Sequence, residues 1–138
     1  MKKVKRWRYY CDFCGKGGGH AGYMRRHEAA CTMNPNRCCN MCEYAGGGGD
    51  DLPDLIALVK KLISVQKFES EFGEYFKVEA EDGALDKLRE AAECCPACML
   101  AAIRQAGEGY WLDDFNFKKE KDAMFAAHNE EQQAMRGY

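Results

Sequence analysis

Nine cysteines occur in this chain of 138 residues, and six of them form three C-x-x-C pairs: Cys11/Cys14, Cys39/Cys42 and Cys95/Cys98. Two thiolates at that spacing can close a tight turn around one metal ion, with backbone amides turned toward the sulfurs. In a chain of this length such pairs point to metal binding in a reducing compartment, whereas a disulfide framework belongs mainly to short secreted chains. The first pair is followed by His27 and Cys31. Four residues apart on a helix, their ligand atoms leave one face toward a single ion. Cys11, Cys14, His27 and Cys31 are therefore expected to form a tetrahedral site of three sulfurs and one nitrogen, a donor set suited to zinc. Gly15 supplies the positive φ that the turn after Cys14 favours, and Gly17-Gly18-Gly19 continues it.

The other two pairs are separated by 52 residues, room for a helix and its return, and together fill a four-cysteine site: Cys39, Cys42, Cys95 and Cys98. Four protein ligands leave no open position for a substrate, so this second zinc is expected to be structural, giving two ions per chain. An iron–sulfur cluster or a redox dithiol at Cys95/Cys98 are the alternatives. A redox C-P-A-C wants a strand-to-helix setting, whereas residues 84–93 read as helix. Cys38 and Cys94 lie one position before Cys39 and Cys95 and compete with them as ligands, but the C-x-x-C members make the tighter chelate turn.

The net charge of -2 conceals a division along the chain. Residues 1–42 hold nine Lys/Arg against Asp12 and Glu28, a charge of +7, while the remaining 96 residues hold eleven Lys/Arg against twenty Asp/Glu, a charge of -9. A basic end suits phosphates, and an acidic remainder opposes wrapping the whole protein in nucleic acid. Residues 1–10 form a basic aromatic arm in which Lys3, Lys5, Arg6, Trp7 and Arg8 can lie along phosphates or stack on a base. The charged N-terminus is not followed by an apolar stretch, and the longest apolar run, 55–59, is broken by Lys60 and Lys61. The chain is thus expected to be soluble and intracellular, cytoplasmic or nucleoid-associated, with no membrane partner.

The elements that must position these residues follow from punctuation and periodicity. Thr32-Met33-Asn34-Pro35-Asn36 is turn chemistry, and Gly46 to Gly49 reads as a flexible linker. Asp50-Asp51-Leu52-Pro53-Asp54 opens a helix expected to run to about residue 68, with Leu55, Leu58, Val59 and Leu62 at helical spacing and Ile56 and Ile63 widening the stripe. Residues 71–79 fit an extended or a helical segment. Further helices are expected over 84–93, over 96–105 and over 115–135, the last with Phe117, Met124, Phe125 and Ala127 on an apolar face. Tyr110, Trp111, Leu112 and Phe115 read as core. His128 reads as an exposed helical histidine: with His27 committed to metal, too few histidines remain for a catalytic set, and no enzyme is expected.

The spacing Cys-x2-Cys-x12-His-x3-Cys resembles the classical zinc-finger family, with two cysteines and two histidines, and its CCHC variants, over residues 9–31. Tyr9 falls at the family's aromatic position before the first cysteine and Met24 at its apolar helical position, while Gly18 replaces the aromatic after the second cysteine. The resemblance implies a ββα-like finger over 11–33, with base-reading helix positions at His20, Tyr23 and Arg26 and with Arg25 close by. Similar CCHC fingers in DNA-repair proteins bind ubiquitin, which implies protein docking as a rival role. The overall arrangement of tandem zinc motifs also resembles small phage and prophage proteins. The fold expected is mainly α, with the finger at the N-terminus and residues 34–138 as a helical domain stapled by the four-cysteine site. The function expected is that of a regulator bound to DNA or RNA, and the runner-up is a protein-docking adaptor or inhibitor of a nucleic-acid enzyme.

Overall fold

The structure, a computed structural model, describes residues 1–42, 44 and 49–136. Among these, five helices and two small antiparallel sheets form. In the N-terminal part, β1 (Tyr9–Tyr10) pairs with β2 (Gly17–Gly18) in the register Tyr9 to Gly18 and Tyr10 to Gly17, and α1 (Ala21–Ala30) follows. His20 caps α1: its Nδ1 accepts the Tyr23 backbone N–H at 3.1 Å, satisfying one of the donors left open in a first helical turn. Met24 is buried beside Cys11 and Cys31, with Met33 packed against them. A side chain added at Gly18 would meet Met24 Cε at 3.5 Å, so Met24 lies over the place where the family aromatic would enter.

The larger core is built on α2 (Leu52–Leu62), α3 (Ala84–Ala91) and α4 (Pro96–Ala106). Leu55, Val59 and Leu62 from α2 meet Leu88 from α3 and Met99, Ala102 and Ile103 from α4. Small residues at Ala101, Ala102 and Ala106 leave α4 slim enough to be enclosed. Tyr110, Leu112 and Phe115 pack against this core as expected, whereas Trp111 stays half-exposed.

The helix expected to reach residue 68 ends at Leu62, and the chain continues into β3 (Ile63–Ser70), which pairs with β4 (Gly73–Ala80). Ile63 and Val65 point one way with Phe76 and Val78, while Ser64 and Gln66 point the other, so a period of two takes over from 3.6. Ile63 fits both periods, which is why it read as part of the helical stripe. Residues 71–79 accordingly belong to a hairpin. Its turn is held by the Ser70 hydroxyl, which donates to the Gly73 carbonyl at 3.0 Å and accepts the Phe72 N–H at 3.3 Å.

Beyond the core, α5 (Phe117–Arg136) is capped by Asn116, whose Oδ1 accepts the Lys119 N–H at 3.1 Å. Only Met124 of its expected apolar face is buried, and Ala127 is exposed. A bidentate pair adds to the hold: Arg89 donates from Nη2 and Nε to the two Glu120 carboxylate oxygens at 2.6 and 3.0 Å. The hydrogen bonds to Glu120 push the Arg89 guanidinium above its already high ordinary value, so it stays charged. Of the glycine linker, only Gly49 lies within the described residues. It is pressed against the end of α3, where a side chain would start 2.9 Å from the Ala92 carbonyl carbon, so the chain is packed rather than free at that point. No helix among the described residues is long and apolar enough to cross a membrane.

The hairpin root rests on Gly109, which has φ of +83°; a Cβ there would meet Val65 Cγ1 at 2.9 Å and the Phe76 ring at 3.1 Å. Gly109→Ala combines backbone strain with overpacking and is expected to cost about 1–3 kcal/mol. Urea denaturation of the metal-loaded protein measures it, and an unchanged midpoint would contradict this packing.

Candidate metal centres and the basic surface

The knuckle before α1 is shaped by its own backbone. The Gly15 N–H donates to the Cys11 carbonyl and the Cys11 N–H to the Lys16 carbonyl, both at 2.9 Å, and Gly15 takes a φ of +77°. This turn brings Cys11 and Cys14 to His27 in the last turn of α1 and Cys31 at its C-cap, with all four ligand atoms within 4.8 Å of one another. Cys14 Sγ and His27 Nε2 are 3.2 Å apart. Cys11 and Cys31 are buried, whereas Cys14 faces solvent.

Cys39, Cys42, Cys95 and Cys98 form the second group, again with ligand atoms within 4.8 Å of one another. Cys39 to Cys95 and Cys42 to Cys98 are both 3.4 Å, and Cys42 to Cys95 is 3.7 Å. Sulfurs bound tetrahedrally to one zinc at the usual bond length stand about 3.8 Å apart, so this cluster fits a metal of that size. Cys38 and Cys94 are exposed and lie outside the group. Cys95 is the N-cap of α4 and Cys98 sits in its first turn, where the positive end of the helix favours thiolates. Two consecutive left-handed residues, Glu93 with φ of 48° and Cys94 with φ of 64°, turn the chain from α3 into α4 and aim Cys95 inward.

The electrostatics of the second group call for a cation. Hydrogen bonds from the Cys95 and Cys98 thiols hold Cys39 far below the ordinary thiol value. Burial pushes Cys42 up to about 12. The interaction with Cys39 drives Cys95 and Cys98 upward as well. Within this group one thiol is driven down and its neighbours up, and a divalent ion would relieve the repulsion that opposes ionising all four. In the first group, burial likewise raises Cys31.

Segment 32–39 joins the two groups and runs along α4 from its C-terminal end toward its N-terminus. Gln105 Nε2 donates to the Thr32 and Asn34 carbonyls at 2.7 and 3.0 Å, and Arg104 Nη1 donates to Thr32 Oγ1 at 2.8 Å. Arg37 then spans to the second cluster, donating from Nη1 to Cys98 Sγ at 3.8 Å and from Nε to the Ala30 carbonyl at 3.2 Å. The same segment is bound back to α1, since Asn34 Nδ2 donates to the Glu28 carbonyl and the Cys38 N–H to the Ala29 carbonyl. Sequence reasoning missed the parts played by Arg37, Arg104 and Gln105. Arg37 stands two residues before a ligand, which was a usable signal, whereas nothing local marks the other two.

The basic side chains expected to contact nucleic acid do not gather in one place. Lys3, Lys5, Arg6, Trp7 and Arg8 are exposed in a segment without regular structure, Trp7 at 84%. Arg25 shares a cleft with Arg8, Tyr9 and Tyr10 on one side of α1. Tyr23 and Arg26 face a different cleft, toward α4. His20 is committed to its cap, and His128 is half-buried against Tyr44, ring centroids 5.4 Å apart, rather than exposed. Comparison with protein-family models, with curated proteins and with solved structures finds no match to this chain.

Burial and neighbouring sulfurs raise Cys42, Cys95 and Cys98, so metal uptake by the four-cysteine group should release protons and its apparent affinity should climb with pH throughout the range from about 6 to 8. Competition titrations with a chromophoric chelator give the slope, and a pH-independent affinity would contradict the protonation pattern. Arg37→Ala withdraws a donor from Cys98 and should weaken retention of that ion about tenfold, measured as the rate of metal transfer to a chelator.

Proposed function

We propose that the chain is a non-enzymatic protein holding two zinc ions, one in each group, and that it acts as a nucleic-acid-associated regulator through its basic N-terminal arm and finger. The observation that carries this reading is the +7 charge of residues 1–42, displayed on exposed Lys, Arg, Trp7 and Tyr23 beside an acidic body. Both metal groups have all four positions filled by protein side chains, which suits a structural role. The arm supplies phosphate contacts and Trp7 a stacking surface, as single-strand binders require. Reduced, metal-held thiols accord with a place inside the cell.

A second reading, a protein-docking adaptor, is favoured by the β3–β4 hairpin. Phe72 at its turn is 98% exposed, and Phe68 and Tyr75 stack beside it with centroids 5.2 Å apart. Glu69 and Glu74 pair on the opposite face of the hairpin, where Lys67 meets Glu74 at 3.0 Å, and Glu71 lies in the turn, so the tip carries net negative charge and suits an apolar pocket with a basic rim.

Fluorescence anisotropy with random single- and double-stranded DNA and RNA tests the leading reading. Binding should weaken steeply with salt and fall at least about tenfold when Lys5, Arg6, Arg8, Arg25 and Arg26 are all replaced by Gln. Absent or salt-insensitive binding would sink it. Retention of a partner by that variant, lost on Phe72→Asp, would instead support the adaptor. Two zincs per chain are expected by mass spectrometry; iron would overturn the metal assignment.

A further inference from the structure

A cleft of about 500 Å³ lies between α1 and α4, with Tyr23, Arg26, Asn40 and Arg104 on its walls. Arg104 belongs to the acidic part of the chain, where charge alone gives no reason to look for an anion site. Its guanidinium is held by the Thr32 hydroxyl, a neutral partner that takes one of five N–H donors and none of the charge. Among the described residues, neither Arg26 nor Arg104 is in an ion pair. Gln105 clamps the α4 wall to two carbonyls of segment 32–34, so Arg104 is set on a fixed element. On the facing wall the Tyr23 hydroxyl accepts from Lys16 Nζ at 3.0 Å, which steadies a ring that remains 46% exposed. Three thiolates and a divalent ion on the same wall would contribute about -1, leaving the cleft positive.

We propose that this cleft is a phosphate subsite for single-stranded nucleic acid, in which Arg26 and Arg104 bracket one phosphate and Tyr23 carries the adjoining base. It rests on the nucleic-acid reading above and deepens it. Guanidinium forks match phosphate oxygens, and an aromatic face accepts any base. An unpaired nucleotide can enter a concave cleft, whereas α4 beside α1 obstructs the approach of a duplex groove to that side of the helix, and His20 is already spent on its cap. The subsite thus gives the finger a different use from the groove-reading geometry its spacing resembles.

The test uses the full-length, zinc-loaded protein with a fluorescent oligothymidylate of about 12 nucleotides and a duplex of equal length, across a salt series. Arg104→Gln and Arg26→Gln should each weaken the single strand about fivefold to tenfold and lower the salt slope by about 0.7, with little change for the duplex. Arg104→Lys, which keeps the charge, should restore much of the slope. Zinc content shows that each variant is folded, and Arg26 is an exposed helical residue whose loss removes no hydrogen bond described above. Unchanged single-strand affinity in both variants, while a variant with only Lys5, Arg6 and Arg8 replaced by Gln binds more weakly, would overturn the subsite and spare the broader reading. Equal losses on single strand and duplex would overturn the single-strand assignment. Failure of the wild-type protein to bind either would bring down both.

Discussion

Four sulfurs from chain segments 52 residues apart meet within 4.8 Å, and nearly everything else in the body is arranged so that they can. Bringing distant segments together costs loop entropy that grows slowly with length, whereas crowding thiols costs desolvation and mutual repulsion at once. The fold meets the first cost with apolar packing. Leu55, Val59, Leu88 and Met99 pack together within that loop, and Cys95 is fully buried. The second cost remains in the cluster itself, with one thiol driven down and its neighbours driven up, and a divalent ion relieves it. Core and metal therefore contribute differently: packing favours the loop's closure, and a bound ion would set the charge state at its mouth.

The finger depends on this arrangement more than its compact motif implies. Its own core is three buried side chains, Cys11, Met24 and Cys31, too few to hold a fixed orientation unaided. Orientation comes from α4, through the hydrogen bonds of Arg104 and Gln105 to segment 32–34. The finger is thereby joined to the acidic body as one face of a cleft, and the charge division along the sequence becomes a division across a surface. Arg104 crosses that division, an isolated positive group from the acidic part set beside the basic one.

The two candidate ligand groups were legible because they depend on spacing. C-x-x-C turns and the four-residue step from His27 to Cys31 constrain geometry locally, so ligand identity could be read without the fold. The helix starts at Pro53 and Pro96 were legible for the same reason, since proline acts on its own turn. The hairpin was not, because Ile63 serves a helical stripe and an alternating strand equally well and only the pairing with Ala80 decides between them. The left-handed pair Glu93–Cys94 was hidden too, since no glycine marks it and tertiary packing enforces it. Arg104 was invisible for the plainest reason: its neighbours in sequence are not its neighbours in space.

One more consequence follows from α4 itself. It carries Cys98 near its start and Gln105 near its end, seven residues apart, so the two side chains leave the helix within about 20° of the same direction. Segment 32–39 follows that line, touching Gln105 through Thr32 and Asn34 and Cys98 through Arg37. The helix is in effect a ruler of about 16 Å laid between two candidate metal centres, and its angular phase matters as much as its length. A single residue inserted between Cys98 and Gln105 would leave hydrophobicity and charge nearly untouched, yet it would turn one end about 100° against the other. The two centres could then no longer be served by one connecting strand, so the tolerance of this protein to insertion should be lowest where its composition is least distinctive.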